Sequence, residues 1–201
     1  MDAAESSTPT APPQAPGEDL HCALALVNTA FSRPSGPYDG LRDPESAAAW
    51  LHDRGLLPSG NLVATQELER LLELRRSLRE LLNAGLNGTS PEPTALSTLN
   101  TTLARAPAVH EIRWERSGPV ADVRRPVDDP FGAALTMLAE NAVELLTGPP
   151  SARLSTCGAP GCTRLFIRTH GARRWCSDRC GNRVRAARHY ADHRGTRSRR
   201  P

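Results

Sequence analysis

The most regular pattern along the chain is a stripe of leucines within residues 65–86. The leucines recur three or four positions apart, and Glu and Arg fill most positions between them, which predicts an amphipathic helix with one buried face. Gly85 and Gly88 are expected to mark its end. Packing in the core is the simpler interpretation of the stripe, and a contact between two copies is the alternative. Its members are Leu68, Leu71, Leu72, Leu78, Leu81 and Leu82.

Three further segments are predicted to be helical. Pro44–Arg54 carries apolar residues at helical spacing and is followed by a glycine, and Pro93–Arg105 begins with a proline at a position that a first turn tolerates. Residues 130–147 follow Asp129, whose side chain can cap the helix, and precede Gly148. Together with the leucine-rich segment, these helices predict a mostly helical N-terminal domain.

Strand signals are fewer and shorter. Val109–Arg116 alternates between apolar and polar residues, and Val120–Arg124 can pair with it across a Ser-Gly-Pro turn, which predicts a β-hairpin. Asp19–Thr29 is apolar enough for either a short helix or a strand, and Ser32–Asp43 predicts a loop. The fold class predicted from these patterns is α+β, with a small β-hairpin in a mostly helical domain.

Charge is distributed unevenly along the chain. The 201 residues carry a net charge of +3, which is unremarkable for one domain or one domain plus a small module. Residues 1–150 hold 12 Arg and 20 Asp and Glu, a net charge of −8, whereas residues 151–201 hold 13 Arg and 2 Asp, a net charge of +11. An acidic body joined to a basic C-terminal segment points to nucleic acid as a partner.

Composition also excludes some classes. No apolar run reaches the roughly 18 residues that a membrane helix requires, and the N-terminus lacks the pattern of a secretory signal, so we expect a cytoplasmic protein with no membrane contact. Residues 1–17 are rich in Pro, Ala, Ser and Thr and are expected to be disordered. No phosphate-binding loop, nucleophile elbow or metalloprotease motif is present, so no catalytic residue is predicted and an enzyme is the weakest hypothesis.

Four of the five cysteines lie close together in the basic segment, at Cys157, Cys162, Cys176 and Cys180. In a reducing compartment this spacing is typical of metal ligands, and four thiolates suit a closed tetrahedral Zn²⁺ site. We therefore predict one structural zinc, with a redox switch as the alternative. Cys22 stands apart and is predicted to be a buried thiol.

The residues between the ligands predict a small fold built around the metal. Arg164–Arg168 is expected to form a strand, and Arg173–Trp175 is expected to return as its partner. A helix beginning near Ser177 and reaching about His193 would carry Cys176 and Cys180 on one face. This order predicts a treble-clef-like zinc finger whose folding depends largely on the metal. Pro149-Pro150 is predicted to be a stiff hinge between the body and this finger.

The helix after the zinc carries the candidate nucleic-acid contacts. Its inward face is predicted to be Cys180, Val184, Ala187 and Ala191, which leaves a basic outer face. Residues 194–201 are expected to be a disordered basic tail that adds salt-sensitive affinity. The predicted contacts to double-stranded DNA are Arg179, Asn182, Arg183, Arg185, Arg188, His189, Arg194 and Arg197.

The letters C-G-N-R at Cys180–Arg183, after the C-x4-C pair and C-S-D-R, resemble the CGNR zinc-finger family of bacteria. The resemblance implies a zinc finger at 149–193, and before it an α/β sensor domain of the type called ABATE at 18–148. The opening of that domain is commonly L-D-F-x-N-T. Here Asn28 and Thr29 match, while Ala25 replaces the acid and Leu26 the aromatic residue. Such proteins are regarded as stress-induced transcription regulators that bind DNA through the finger.

The function predicted from sequence is therefore a zinc-dependent DNA-binding transcription regulator that responds to stress or to an effector. Asn28 and Thr29 are candidates for contacts to a small-molecule effector, and an internal capping hydrogen bond of the Asn28 side chain is the alternative. One finger contacts little DNA, so a homodimer is a further hypothesis. The alternative function is a protein-interaction module whose fold is stabilised by zinc and whose basic helix binds an acidic protein.

Overall fold

The computed structural model describes residues 12–125 and 128–197, with the backbone alone for 192–197. The helices are α1 Cys22–Val27, α2 Pro44–Asp53, α3 Thr65–Asn87, α4 Pro93–Arg105, α5 Pro130–Thr147 and α6 Asp178–Arg197. The strands are β1 Ala30–Phe31, β2 Tyr38–Asp39, β3 Val109–Glu115, β4 Gly118–Arg124, β5 Leu154–Thr156 and β6 Leu165–Ile167, which pair as three antiparallel hairpins. The predicted α+β class is confirmed.

Local signals explain where the helices of the body begin and end. The Asp43 carboxylate accepts the backbone N–H of Ser46 at the start of α2, and the Asp129 carboxylate accepts that of Gly132 at the start of α5. Gly88 ends α3 with a φ of 64°, a backbone conformation that favours glycine. Gly85 lies inside α3, because the helix continues to Asn87. The four predicted body helices are confirmed to within one residue at each end.

The core is built mainly by α1, α3, α4 and α5, with α5 in contact with each of the other three. The leucine stripe of α3 faces this core, and all its members are buried except Leu72, which is half-buried. The alternative interpretation, in which the stripe joins two copies, is therefore wrong, because these side chains already pack inside one chain.

Leu78 offers a direct test of this packing. We expect Leu78→Ala to lower the free energy of unfolding by about 2–5 kcal/mol, because it leaves a cavity beneath a fully buried side chain. Leu62→Ala is the matched control, since Leu62 is 87% exposed and its truncation should change the free energy by less than about 0.5 kcal/mol. Urea titration of both variants measures the difference, and equal effects would show that α3 does not pack as described.

The β3–β4 hairpin is confirmed, with a tighter turn than predicted. Glu115 pairs with Gly118, so the turn is Arg116-Ser117, and Gly118 has a φ of 116°. The pairing places Glu111 and Arg113 on a polar face, where they form ion pairs with Arg124 and Asp122. The opposite face is apolar and exposed to solvent, and it carries His110, Ile112, Trp114, Pro119, Ala121 and Val123.

Two segments adopt regular structure that the sequence did not specify. The first was predicted to be either a helix or a strand, and the second was predicted to be a loop. The apolar part of Asp19–Thr29 is the short helix α1, whose last five residues are all buried. The segment Ser32–Asp43 contains β2, which pairs with β1. Cys22 at the start of α1 is half-buried and free of any disulfide.

The predicted hinge at Pro149-Pro150 is wrong. Pro149–Arg153 forms a 3₁₀ turn that contacts α5, and the strands that follow it contribute Leu154, Leu165 and Ile167 to the core of the body. Apolar side chains on β5 and β6 bury more of their surface in this core than they could in a separate small module, and this burial favours the observed packing. The finger is therefore anchored to the body.

The predicted disorder of residues 1–17 is wrong for residues 12–17, while residues 1–11 lie outside the described part of the chain. The carbonyl of Pro13 accepts a hydrogen bond from Arg164, and that of Pro16 accepts one from the Ile167 backbone N–H. Ala15 is buried against the cysteine cluster. These contacts order a segment whose composition alone predicts no core.

Candidate zinc centre and nucleic-acid interface

The four clustered cysteines converge on one point. Their Sγ atoms all lie within 4.8 Å of one another, with 3.9 Å between Cys162 and Cys176 and 3.8 Å between Cys176 and Cys180. A tetrahedral site with Zn–S bonds of about 2.3 Å requires sulfur–sulfur distances of about 3.8 Å. The cluster therefore has the dimensions of a four-thiolate zinc site.

Two local structures supply the ligands. Cys157 and Cys162 lie in the turn between β5 and β6, where Gly161 has a φ of 72° and the Cys162 backbone N–H donates to the carbonyl of Ala159. Cys180 lies in the first turn of α6, where its backbone N–H donates to the Ser177 hydroxyl. Cys176 precedes α6, so the prediction that it lies on the helix is wrong, although the helix start still brings it to the cluster.

The partner of β6 also differs from the prediction. β6 pairs with β5, which lies before the first cysteine, and Arg173–Trp175 forms no strand. The Arg173 and Arg174 backbone groups are used elsewhere, because Arg173 donates to His170 and the Arg174 carbonyl accepts from Gly158. The turn that carries Cys157 and Cys162 is the zinc knuckle. The order of knuckle, strand β6, loop and helix α6 is consistent with a treble-clef-like finger.

Hydrogen bonds among three of the clustered thiols move their pKa values apart. Hydrogen bonds from Cys162 and Cys176 lower the pKa of Cys157. The same hydrogen bonds, in which Cys162 and Cys176 act as donors, raise the pKa of Cys162 to about 11 and that of Cys176 further. A divalent cation removes this conflict, because it stabilises every thiolate at once.

The environment of the cluster suits a structural metal. Phe166, Ala159 and Ala15 bury it, and Trp175 and Val184 pack on its edge. His170, His189 and His193 are rival zinc ligands by residue type. The side chains of His170 and His189 are exposed and lie outside the group of metal-ligating side chains found in the described part of the chain, and the side chain of His193 is not among those described. Four cysteines complete a tetrahedral shell, so a zinc ion held by them has no open position for catalysis.

Helix α6 presents most of the predicted nucleic-acid contacts to solvent. Arg179, Asn182 and Arg188 are exposed, and His189 is exposed with its ring against Tyr190. Arg185 is also exposed, donates to Asn182 and lies over the Trp175 ring. These side chains are therefore held on a rigid helix rather than in a loop.

Three of the predicted contacts are placed differently. Arg183 is half-buried and donates to the carbonyl of Pro160 at 3.0 Å, which ties α6 to the zinc knuckle. Arg194 and Arg197 lie on α6, because the helix continues past His193 to Arg197. The predicted disorder of 194–201 is therefore wrong for 194–197, and residues 198–201 lie outside the described part of the chain.

The predicted inward face of α6 is correct only near the metal. Cys180 is buried and Val184 is half-buried, whereas Ala187 and Ala191 are exposed. No described element covers the helix beyond residue 184, since every described side chain from 185 to 191 is exposed. The second half of α6 therefore projects from the body with a solvent-accessible basic surface.

A buried polar network joins the zinc finger to the body. The Asn28 side chain donates to the Leu165 carbonyl at 2.7 Å and accepts from the Leu165 N–H at 3.0 Å. It also donates to Glu18, which forms an ion pair with Arg164 at 2.6 Å. The side chains of Glu18 and Arg164 are only 6% and 4% exposed. Sequence reasoning missed both charged residues, because neither lies in a recognisable motif.

Asn28 and Thr29, the weak effector candidates, line a cleft of about 680 Å³ on the body side of this network. Thr29 accepts a hydrogen bond from Arg75 and donates to the Leu26 carbonyl. Ala25, which replaces the acid expected from the family pattern, also lines the cleft, as do Glu18 and Trp50. The cleft thus borders the residues that connect the body to the finger.

Comparison with known families agrees with this geometry. Residues 20–149 match the ABATE model, described as a putative stress-induced transcription regulator, and residues 153–193 match the CGNR zinc finger. Neither is a family of enzymes, and no curated protein matches the chain. Within the described residues, no helix has the length and hydropathy to cross a bilayer. The four buried cysteines are the ligands of one structural zinc, and the chain belongs to the ABATE family and carries a CGNR zinc finger.

Proposed function

We propose that this protein is a zinc-dependent DNA-binding transcription regulator of the cytoplasm. The observation that supports this most strongly is the projecting half of α6, whose exposed arginines extend from a helix that the zinc site anchors at its first turn. A single α-helix fits the major groove of B-DNA, and arginine is the side chain best suited to guanine and phosphate. The zinc has a structural role, because it fixes the start and direction of the helix.

The contacts divide into two groups by position. Arg185, Arg188 and His189 lie on the projecting part of α6 and can enter a groove, while Arg179 lies nearer the metal and can hold a backbone phosphate. Arg194 and Arg197 extend the same helix and add positive charge at its far end. Such a surface predicts binding that weakens steeply as salt concentration rises.

The network at the finger supplies a route for regulation. An effector bound in the cleft beside Asn28 and Thr29 would touch residues that are hydrogen-bonded to Glu18 and Leu165. A ligand that favours one arrangement of this network would change how the body holds the finger. Because Ala25 stands where the family pattern has an acid, we expect the effector of this chain to lack a cation at that position.

A homodimer would enlarge the DNA contact, and the apolar face of the β3–β4 hairpin is the surface we assign to it. Ile112 and Trp114 are 75% and 80% exposed, whereas the charged side chains of the opposite face form ion pairs with one another. Two copies paired face to face would bury both side chains of each. Light scattering should give twice the chain mass, and Trp114→Ser with Ile112→Ser should give the monomer mass; a monomeric parent protein would refute the dimer.

Removal of two arginines tests the DNA-binding surface. Arg185→Ala with Arg188→Ala should leave one zinc per chain but weaken duplex DNA binding, because two cationic contacts are lost from the exposed face of α6. The slope of log affinity against log salt concentration should fall by about 2. Fluorescence anisotropy with a labelled duplex across a salt series measures both quantities.

Arg42→Ala with Arg76→Ala is the matched control, because it removes the same charge from exposed positions in the body. The control should bind DNA like the parent protein. If the two double variants bind equally well, α6 is not the contact surface. If neither the parent nor the variants bind DNA while zinc is present, the interaction module for an acidic protein becomes the better function.

A further inference from the structure

A second cleft lies beside the zinc centre, at the junction of the body and the finger. Four parts of the chain line it: the N-terminal segment at Pro12 and Pro13, the end of β1 with the loop after it, the residues just before β6, and the segment from Cys176 into the first two turns of α6. Its volume is about 350 Å³, which suits a small molecule. Cys162, Cys176 and Cys180 of the metal site are part of its lining, and its charged lining consists of Arg33, Arg164, Arg179 and Arg183, with no carboxylate among the described lining residues.

Two of these arginines each have a buried N–H group without a hydrogen-bond acceptor. The terminal nitrogens of Arg164 donate to Glu18 and to the Pro13 carbonyl, but its Nε, although buried, has no partner. The buried Nε of Arg33 has no partner either. A buried N–H without an acceptor costs about 1–3 kcal/mol, so both side chains would gain from an acceptor in the cleft.

The remaining lining favours an anion. Ser177 and the N-terminal turn of α6 border the cleft, and the start of a helix attracts negative charge. Arg179 and Arg183 are one helical turn apart and face the same side. A zinc ion with four thiolates carries a formal charge of −2. Arg164 is already neutralised by Glu18, and the other three lining arginines, Arg33, Arg179 and Arg183, together carry +3. The positive charge around the cleft therefore exceeds the negative charge of the zinc site.

The uncharged lining narrows the class of ligand. Pro12, Pro13, Pro34 and Phe31 supply the apolar part of the lining, and the Phe31 ring lies against the Arg164 guanidinium. We propose that this cleft binds a small phosphate-bearing molecule, with its phosphate against the arginines and an apolar or flat part against the prolines and Phe31. The site does not rest on the proposed DNA binding, because Arg33 belongs to the body and lies off α6.

Phenyl phosphate tests the site, because it combines a phosphate with an apolar ring. Calorimetry on the zinc-loaded full chain should show one binding site for phenyl phosphate, weaker binding of inorganic phosphate and no binding of phenol. Arg33→Gln should weaken phenyl phosphate binding about tenfold or more, since it removes a charge-assisted hydrogen bond. Arg42→Gln, an exposed arginine of the body outside the cleft, is the control and should bind like the parent.

Absence of saturable binding, or equal binding by the Arg33→Gln variant and the parent, would overturn the site. Competition with duplex DNA separates the two sources of phosphate. A small-molecule site held by Arg33 and Arg164, which are not among the proposed DNA contacts, still binds phenyl phosphate saturably when DNA is present, even if DNA occupies Arg179. If phenyl phosphate displaces DNA and Arg33→Gln lowers the salt slope by about 1, the cleft holds a backbone phosphate and the small-molecule assignment is wrong. Failure of DNA binding alone leaves the phenyl phosphate result unaffected.

Discussion

Replacing both Cys176 and Cys180 with Ser should abolish zinc binding and destabilise the body as well as the finger. Structural zinc contributes about 10–16 kcal/mol of apparent binding free energy in zinc-finger peptides. Here Leu154, Leu165 and Ile167 of the finger strands also belong to the core of the body. Loss of the metal should therefore weaken both cores, and a net loss of about 5 kcal/mol would lower Tm by roughly 10–20 °C.

The helices of the body should persist in this variant at low temperature, because α3, α4 and α5 pack on one another without the finger. Metal analysis measures the bound zinc, far-UV circular dichroism measures the helix content, and a thermal melt measures Tm. Cys22→Ser is the control, since Cys22 is a free, half-buried thiol outside the cluster, and it should retain one zinc per chain. Stoichiometric zinc in the double variant would show that the ligand set is wrong.

Glu18→Ala should cost about 3–5 kcal/mol of unfolding free energy, the second largest effect we expect. The substitution leaves the Arg164 guanidinium buried without its counter-charge and removes an acceptor of the Asn28 amide. Exposed Glu69 on α3 provides the matched control, and Glu69→Ala should change the free energy by less than about 0.5 kcal/mol. Urea titrations followed at more than one wavelength measure both values.

A double-mutant cycle separates the ion pair from simple loss of packing. Glu18→Leu with Arg164→Met should be less destabilising than either single substitution, because no uncompensated charge remains. Additive effects of the two substitutions would contradict a coupled pair. The same cycle measured on DNA affinity would report how far the network transmits a change in the body to the finger.

The helices of the body could be predicted from sequence because their signals are local. A capping aspartate before α2 and α5, a proline at the start of α4 and a glycine after α3 mark boundaries within a few residues of the helix itself. Pairing of β6 with β5 could not be predicted in the same way. Three-residue strands carry too little alternation to choose a partner, and the choice depends on burial of Leu165 and Ile167 in a distant core.

The metal site and the junction show the same contrast. Four cysteines at finger spacing predict a zinc centre, since ligand chemistry requires those residue types close together. The junction depends on Glu18, Asn28 and Arg164, which are separated by up to 146 positions and meet only after folding. Their burial as a hydrogen-bonded set, rather than any pattern in the sequence, reveals the contact. For the same reason the predictions of a hinge at Pro149-Pro150 and of disorder at residues 12–17 were wrong.

Duplex DNA binding by the full chain, with zinc and after chelation, is the most direct measurement of the proposed function. Anisotropy of a labelled duplex across a salt series should show tight binding by the zinc-loaded protein with a steep negative salt slope. Chelation should weaken that binding at least about tenfold, because the start of α6 loses its anchor. No binding at low salt by the zinc-loaded protein, or the same affinity with and without zinc, would contradict a zinc-dependent DNA-binding regulator.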